Sequence, residues 1–453
     1  MEEKTAPQLT PEFLESLERL EEGKEHLFIT GRAGTGKSTL LEYFRDHTKK
    51  NVVVLAPTGV AALNVKGQTI HSFFGFKPDI TPQGVKRLPK RDDKKLPINK
   101  IDAIVIDEVS MVRADLLDCI DLFLRIHGKE AVRPFGGIRM IFIGDLYQLS
   151  PVVTSHDREA LEKQYNSPYF FDAHVFDHAS LECIELKTIH RQKDPEFITL
   201  LNAIRENTIT SNELAILNKR SDELVKKEAS LIHLTTTNDL AQTINTEELD
   251  NISSEHFLYT GLREGEFDPR SLPTAEKLFL KLGAQVMLLN NDPIGRWVNG
   301  TVGIITEIIK SKPLAKTPYD IVRVKTSTGE VVDVLPNTWE LFHFNYNEKT
   351  EHVDSSVVGS FTQYPIKLAW AVTIHKSQGK TFERVLIDLG RGAFAHGQVY
   401  VALSRCTALE GVFLAKPIAR HSIFTDRRVS EFTKRYQEKG YISARIGEVK
   451  ALL

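Results

Sequence analysis

A chain of 453 residues is too long for one ordinary hydrophobic core, so at least two domains are expected. With 41% hydrophobic and 26% charged residues it has a globular composition, and no apolar run approaches the ~18 residues of a membrane-spanning helix. The formal net charge of −2 excludes attraction of nucleic acid by the molecule as a whole, so any such partner must meet a local basic surface.

Residues 1–25 carry eight acidic and three basic side chains, unlike a secretory signal or an arginine-rich transit peptide. Cys119, Cys183 and Cys406 are widely scattered, which suggests a reducing, cytoplasmic setting and no structural zinc. Residues 27–30, 52–56, 103–106 and 140–143 are short apolar runs without polar alternation, the pattern of parallel strands covered on both faces. Before the last of them, Leu116, Ile120, Phe123 and Leu124 share one helical face, with Gly128 as a stop. Residues 76–100 break the pattern with prolines and the stretch KRLPKRDDKKLP, read as an insertion whose basic run at 86–95 is either a DNA contact or a solvated loop. A second α/β region is expected from residue 181, with a helix over 195–207 started by Asp194 and Pro195. Residues 300–364 turn β-rich, DIVRV and EVVDV flanking a hairpin turn at 327–329, and the α/β pattern resumes at 365–453.

Chemistry-bearing residues follow the apolar runs directly, where an open α/β sheet presents its ligands. GRAGTGKS at 31–38 is a phosphate loop: its glycines let backbone amides turn onto phosphates, Lys37 reaches the β and γ oxygens, and Ser38 can hold magnesium. Asp107 and Glu108 close the IVIDE strand, where an aspartate would bind the metal and a glutamate would activate water. His174 and His178 have the i,i+4 spacing of a metal pair but lack the HExxH glutamate and a third ligand, so a structural role is expected.

Six separated stretches share an order with superfamily-one helicases: APTGVAALNVKGQTIHSFF at 56–74, DEVSMV at 107–112, GDLYQLSPV at 144–152, HRQ at 190–192, TIHKSQGKTF at 373–382 and VALSR at 401–405. In wording they resemble the petite-integration-frequency helicases, relatives of the RecD and Dda enzymes. The resemblance implies an α/β fold of two RecA-like P-loop domains, the first over 1–180 with a wedge-like insertion at about 76–100. The second would comprise 181–299 and 365–453, interrupted by an SH3-like β domain at 300–364. ATP and magnesium would lie in the cleft between the domains, and single-stranded DNA would run across both.

By motif, Gly34, Thr35, Gly36, Lys37, Ser38 and Thr39 would bind phosphate, with Ser38 and Asp107 on magnesium and Glu108 as catalytic base. Gln148 would sense the γ-phosphate, Gly379 would lie beside the nucleotide, and Arg191 and Arg405 would be arginine fingers. Pro57, Thr58, His71, Phe73, Thr236, Asn238, Thr373, His375 and Ser377 look like the DNA-facing positions, although Phe73 and Phe74 also fit a core. The implied activity is a monomeric helicase moving 5′ to 3′ on tailed or forked duplexes, with G-quadruplexes and RNA–DNA hybrids also compatible. A DNA-stimulated ATPase that does not part duplexes shares every motif, and a nucleotide switch or kinase shares only the phosphate loop. One departure touches base selectivity: no glutamine shortly precedes the loop, Gln8 being the only one N-terminal to it.

Overall fold

The computed structural model describes residues 10–88, 97–192, 194–221, 231–311, 318–390, 392–393, 395–439 and 441–442. Lys90, Arg91, Lys94 and Lys95 of the basic run lie outside the described residues. The chain divides into two compact units, one built from residues 3–190 with 341–358 and 426–453, the other from 191–340 with 359–425.

The first unit is built on a parallel sheet of β1 (His26–Gly31), β2 (Val52–Ala56), β3 (Gln68–Thr69), β4 (Ala103–Ile106), β5 (Arg139–Ile143) and β6 (Leu181–Leu186). Their order is β6-β1-β5-β4-β2-β3, with Tyr441–Ile442 added antiparallel outside β6. The apolar runs read from the sequence are buried on both faces, as parallel strands must be when helices cover them. Leu27, Ile29, Val54, Val105 and Ile141 pack with Leu20, Leu40 and Phe44 on one side. On the other, the Phe28 and Phe142 rings lie 5.4 and 5.2 Å from that of Phe170. The helix expected before β5 spans Ala114–His127 and stops at Gly128, whose amide donates to the Leu124 carbonyl. Arg139 is only 8% exposed because its guanidinium satisfies the carbonyls of Arg19, Leu20 and Glu25 at the end of helix Pro11–Glu22 and beyond it.

Two boundaries differ from expectation. The strand at 181–186 does not open the second domain: it is β6, in parallel register with β1 from His26↔Leu181 to Gly31↔Leu186. Its pattern LECIEL is half polar, so nothing local names its partner, which is chosen by packing. The chain's end also returns to this unit. In helix Arg427–Lys439, Phe432 stacks on Phe171 at 4.3 Å, and Arg428 pairs with Asp172, whose side chain is fully buried. Ser167 also donates its hydroxyl to Asp172. Arg428→Ala leaves that carboxylate without its cation and is expected to destabilise the unit by about 3 kcal/mol, read by denaturant unfolding.

In the second unit the helix expected over 195–207 spans Pro195–Arg205, capped by the Asp194 side chain on the Glu196 amide. A four-stranded parallel sheet runs in the order Ala371–Thr373, Ile232–Thr235, Val385–Asp388, Val412–Leu414. The β-rich insertion is a five-stranded antiparallel sheet in the order Val331–Val334, Ile321–Thr326, Val302–Ile309, Gln285–Leu288, Ile366–Leu368. Its hairpin turns where expected, with Gly329 in the left-handed region at φ 89°. The sheet begins earlier than residue 300 and ends later than 364, because Val286, Leu288 and Ile366 close the same apolar core as Val322, Val324 and Val332. A further correction concerns 341–358, the tip of the long pair of strands Asn337–Asn347 and His352–Gln363. It belongs to the first unit, where the Val353 amide donates to Asn51 Oδ1 at 2.7 Å and Lys100 lies over the Tyr346 ring.

Candidate active site and nucleic-acid interface

Between β1 and helix Lys37–His47, the loop turns through Gly34 and Gly36, both at φ 83°, where a side chain would be strained. Gly36 is the helix N-cap and offers no side chain, which leaves the first-turn amides to an outside acceptor. Lys37 Nζ donates to the carbonyls of Gly31 at 2.7 Å and Arg32 at 2.9 Å, and the Thr35 hydroxyl donates to Arg32 as well. Ser38 and Thr39 follow in the first helical turn. A residue that sequence reasoning passed over supports the loop: the His190 amide donates to the Gly34 carbonyl at 2.9 Å. It stands next to the arginine singled out in HRQ, which was the available signal.

Asp107 directly follows β4 and is 8% exposed, its amide tied to the Leu55 carbonyl of β2. Burial pushes its carboxyl well above the ordinary aspartate range, the Glu108 charge adds to the effect, and Lys37 opposes it. A buried aspartate beside a half-buried glutamate, with a lysine within electrostatic reach, is a donor set suited to a hard divalent cation, so the residues fit magnesium. Glu108 sits in the left-handed region at φ 50°, a strained conformation of the kind that clusters at active sites. Beyond β5, Asp145 is 1% exposed and positions its neighbours: it accepts from the Tyr147 amide and from the Gln148 side-chain amide at 3.3 Å. Asp145 too was missed, although it precedes Gln148 in GDLYQ.

Pro57 and Thr58 follow β2, Thr58 exposed and capping the short helix Gly59–Asn64 through the Ala61 amide. His71 is partly exposed. Phe73 is not a DNA-facing position in this fold: it is 2% exposed, with its ring edge-on to Phe74 at 4.8 Å, so no face is open to a base.

In the second unit a cavity of about 440 Å³ opens at the carboxyl ends of the parallel strands Ile232–Thr235 and Ala371–Thr373. Thr236, Asn238, Thr373 and His375 line it together with Thr237, Asp239 and Lys376. Helix Asn238–Asp250 points its N-terminus there, and Asn245 pins that helix to the strand by exchanging two hydrogen bonds with the Ala371 backbone. Burial holds the His375 imidazole below its ordinary pKa. Ser377 is corrected: it is fully buried and its hydroxyl donates to the Ile374 carbonyl at 2.7 Å, leaving nothing for a strand.

Gly379 is exposed at φ 78° with open space around it. Arg405 is 1% exposed, donating to the Val401 carbonyl and the Ser404 hydroxyl at 2.9 Å and to the carbonyls of Ser377 and Lys380 at 3.4 Å. Arg191 donates to the Ser404 carbonyl at 3.3 Å, and the buried Gln192 amide bridges the carbonyls of Ser404 and Cys406. Arg191 and Gln192 are thus knitted to VALSR within one unit. Among the described residues no group of three metal-ligating side chains is present.

A phosphate loop at a strand–helix junction of a parallel sheet, an Asp-Glu pair at the end of another strand of that sheet, with β5 between the two, and a second parallel α/β sheet define a P-loop nucleoside triphosphatase with two RecA-like cores. The profile of the PIF1-like helicase family matches residues 12–215. The ATP-dependent DNA helicase Pif1 of Bdellovibrio bacteriovorus is 31% identical over 95% of this chain and 92% of its own length. Pif1 of Bacteroides sp. in complex with ADP-AlF4 is similar with a TM-score of 0.87 at 35% identity, over 96% of this chain and 99% of that one. Bacteroides Pif1 bound to single-stranded DNA matches at a TM-score of 0.67 and 36% identity, again over 96% and 99%. The chain belongs to the PIF1-like helicase family.

Proposed function

We propose that this protein is an ATP-dependent DNA helicase that travels 5′ to 3′ on single-stranded DNA and unwinds duplexes from a 5′ tail. The observation that carries the reading is the pairing of a complete phosphate loop and Asp107–Glu108 pair in one unit with the Thr236–His375 cleft in another α/β unit of the same chain. The relatives' ATP-dependent helicase activity and their complexes with single-stranded DNA and a nucleotide analogue support it.

The loop amides and Lys37 bind the β and γ phosphates of ATP, which places the γ-phosphoryl group for in-line attack. Ser38 and Asp107 would hold magnesium, which would supply charge neutralisation for the phosphate oxygens. Glu108 orients and deprotonates the attacking water, and Gln148, held by Asp145, reports the γ-phosphate. Arg191 and Arg405 neutralise charge that develops on the transferring group, Gly379 lying beside the nucleotide. Pro57, Thr58 and His71 in one unit, and Thr236, Asn238, Thr373 and His375 in the other, meet the strand. The three cysteines are free, and no described helix is long and apolar enough to cross a membrane.

Glu108→Gln should retain ATP while losing turnover by about 10²–10⁴-fold, because the water is no longer activated. Nucleotide binding by fluorescence and steady-state phosphate release separate the two effects. Single-stranded DNA should stimulate hydrolysis, since a strand that favours the active arrangement shifts its population. The deciding experiment measures hydrolysis with and without single-stranded DNA, alongside unwinding of matched 5′-tailed and 3′-tailed duplexes. Strand-stimulated hydrolysis without unwinding would leave a translocating ATPase, and preference for the 3′ tail would reject the direction.

A further inference from the structure

Helix Gln398–Leu403 ends at the turn that carries Arg405, and carbonyls at a helix end have no partner further along the helix. Ser404, Arg405 and Cys406 are 0%, 1% and 0% exposed, so the carbonyls of this turn must be satisfied by protein groups. The Arg405 carbonyl accepts from the Phe382 amide at 2.8 Å. The carbonyls on either side, those of Ser404 and Cys406, both accept from the side-chain amide of Gln192, at 3.1 and 3.0 Å. Gln192 is 3% exposed and directly follows Arg191, whose guanidinium reaches the same Ser404 carbonyl at 3.3 Å. All four residues belong to one unit.

The residue type matters here. A neutral side-chain amide carries two hydrogens on one nitrogen, so it can close both carbonyls without bringing a charge into a buried place, where a lysine or arginine would need a counter-ion. The amide thus grips the backbone immediately before and after Arg405, and Phe382 holds the peptide between. From this clamped backbone the guanidinium extends to the Ser377 and Lys380 carbonyls. Packing alone would be met by a methionine of similar length; the two hydrogen bonds are what the amide adds.

We propose that Gln192 is a positioning residue for ATP hydrolysis: it fixes the Ser404–Cys406 backbone and thereby aims the Arg405 guanidinium. The proposal rests on the reading of Arg405 as an arginine finger and names the residue that sets it. A finger acts over a hydrogen-bond length, and an error of about 1 Å in its placement is enough to cost ~10²-fold in rate.

The test uses the full chain carrying Gln192→Met, which keeps length and neutrality but removes both donors, and Gln192→Glu, which keeps the shape. Gln192→Met should lower kcat for ATP by about 10²-fold and leave KM within about twofold. In Gln192→Glu the ionised carboxylate turns acceptors toward two acceptors, whereas the protonated form, which burial favours, donates one hydrogen bond. Its rate relative to the unaltered protein should therefore recover about tenfold as the pH is lowered from about 8.5 to about 6. In the folded Arg405→Ala background, Gln192→Met should slow hydrolysis no further, because the group it aims is gone. Unaltered kcat in folded Gln192→Met overturns the proposal, and so does a pH-independent ratio for folded Gln192→Glu or an additive loss in the double variant. If Gln192→Glu alone unfolds, Gln192→Met and the double variant decide; if both single variants unfold, the amide braces the whole unit and the proposal is equally lost. Normal turnover in folded Arg405→Ala would remove the finger itself, whereas slow Arg405→Ala beside a normal Gln192→Met discards only the role given to Gln192.

Discussion

Lys37→Ala is expected to abolish ATP hydrolysis, a fall of at least about 10³-fold in turnover, and with it all unwinding. The lysine is the cation on the loop that can follow the γ-phosphate. In this structure its ammonium caps the carbonyls of Gly31 and Arg32, so the group is already held at the mouth of the loop. Because it also opposes the rise in the Asp107 pKa, its loss should leave that carboxyl still more reluctant to ionise and weaken magnesium binding as well as phosphate binding. Nucleotide affinity, phosphate release and magnesium dependence measured on one preparation check all three consequences. Hydrolysis near the normal rate in the folded variant would remove the loop from the chemistry.

Arg405→Ala should slow hydrolysis by up to ~10³-fold while leaving nucleotide binding largely intact, if the guanidinium serves as a finger. The structure adds a second cost. The guanidinium satisfies three carbonyls and a hydroxyl in a nearly solvent-free setting, so alanine also strands buried acceptors at about 1–3 kcal/mol each. Stability and turnover therefore have to be read together. Arg405→Lys separates them, because it keeps a charge but not the planar fork that meets several acceptors at once. A finger predicts slow turnover in both variants even below the temperature at which either unfolds. Normal turnover in folded Arg405→Ala would make the residue a brace for the turn carrying Ser377 and Lys380.

Much of the architecture was legible because its signals are local. Strands β1, β2, β4 and β5 are apolar runs whose burial on both faces needs no polar alternation, and the residues at their ends follow from the sheet's geometry. The phosphate loop announces itself through glycine spacing, since glycine adopts without strain the left-handed turns found at Gly34 and Gly36. The Thr236, Asn238, Thr373 and His375 assignments came from family wording, and the fold brings those four to one cavity.

The sequence by itself determined the class of fold, the phosphate-binding chemistry and the carboxylates beside it, because each depends on residue type and short-range spacing. Only the tertiary structure decided which neighbours a half-polar strand takes, so 181–186 joined β1, and 341–358 and the last helix returned to the first unit. It also decided which motif side chains are spent internally. Phe73 and Ser377 stand in strand-binding wording, yet packing turns one ring into the core and one hydroxyl onto a carbonyl. Burial and pairing are sums over distant segments, and no local spacing encodes them.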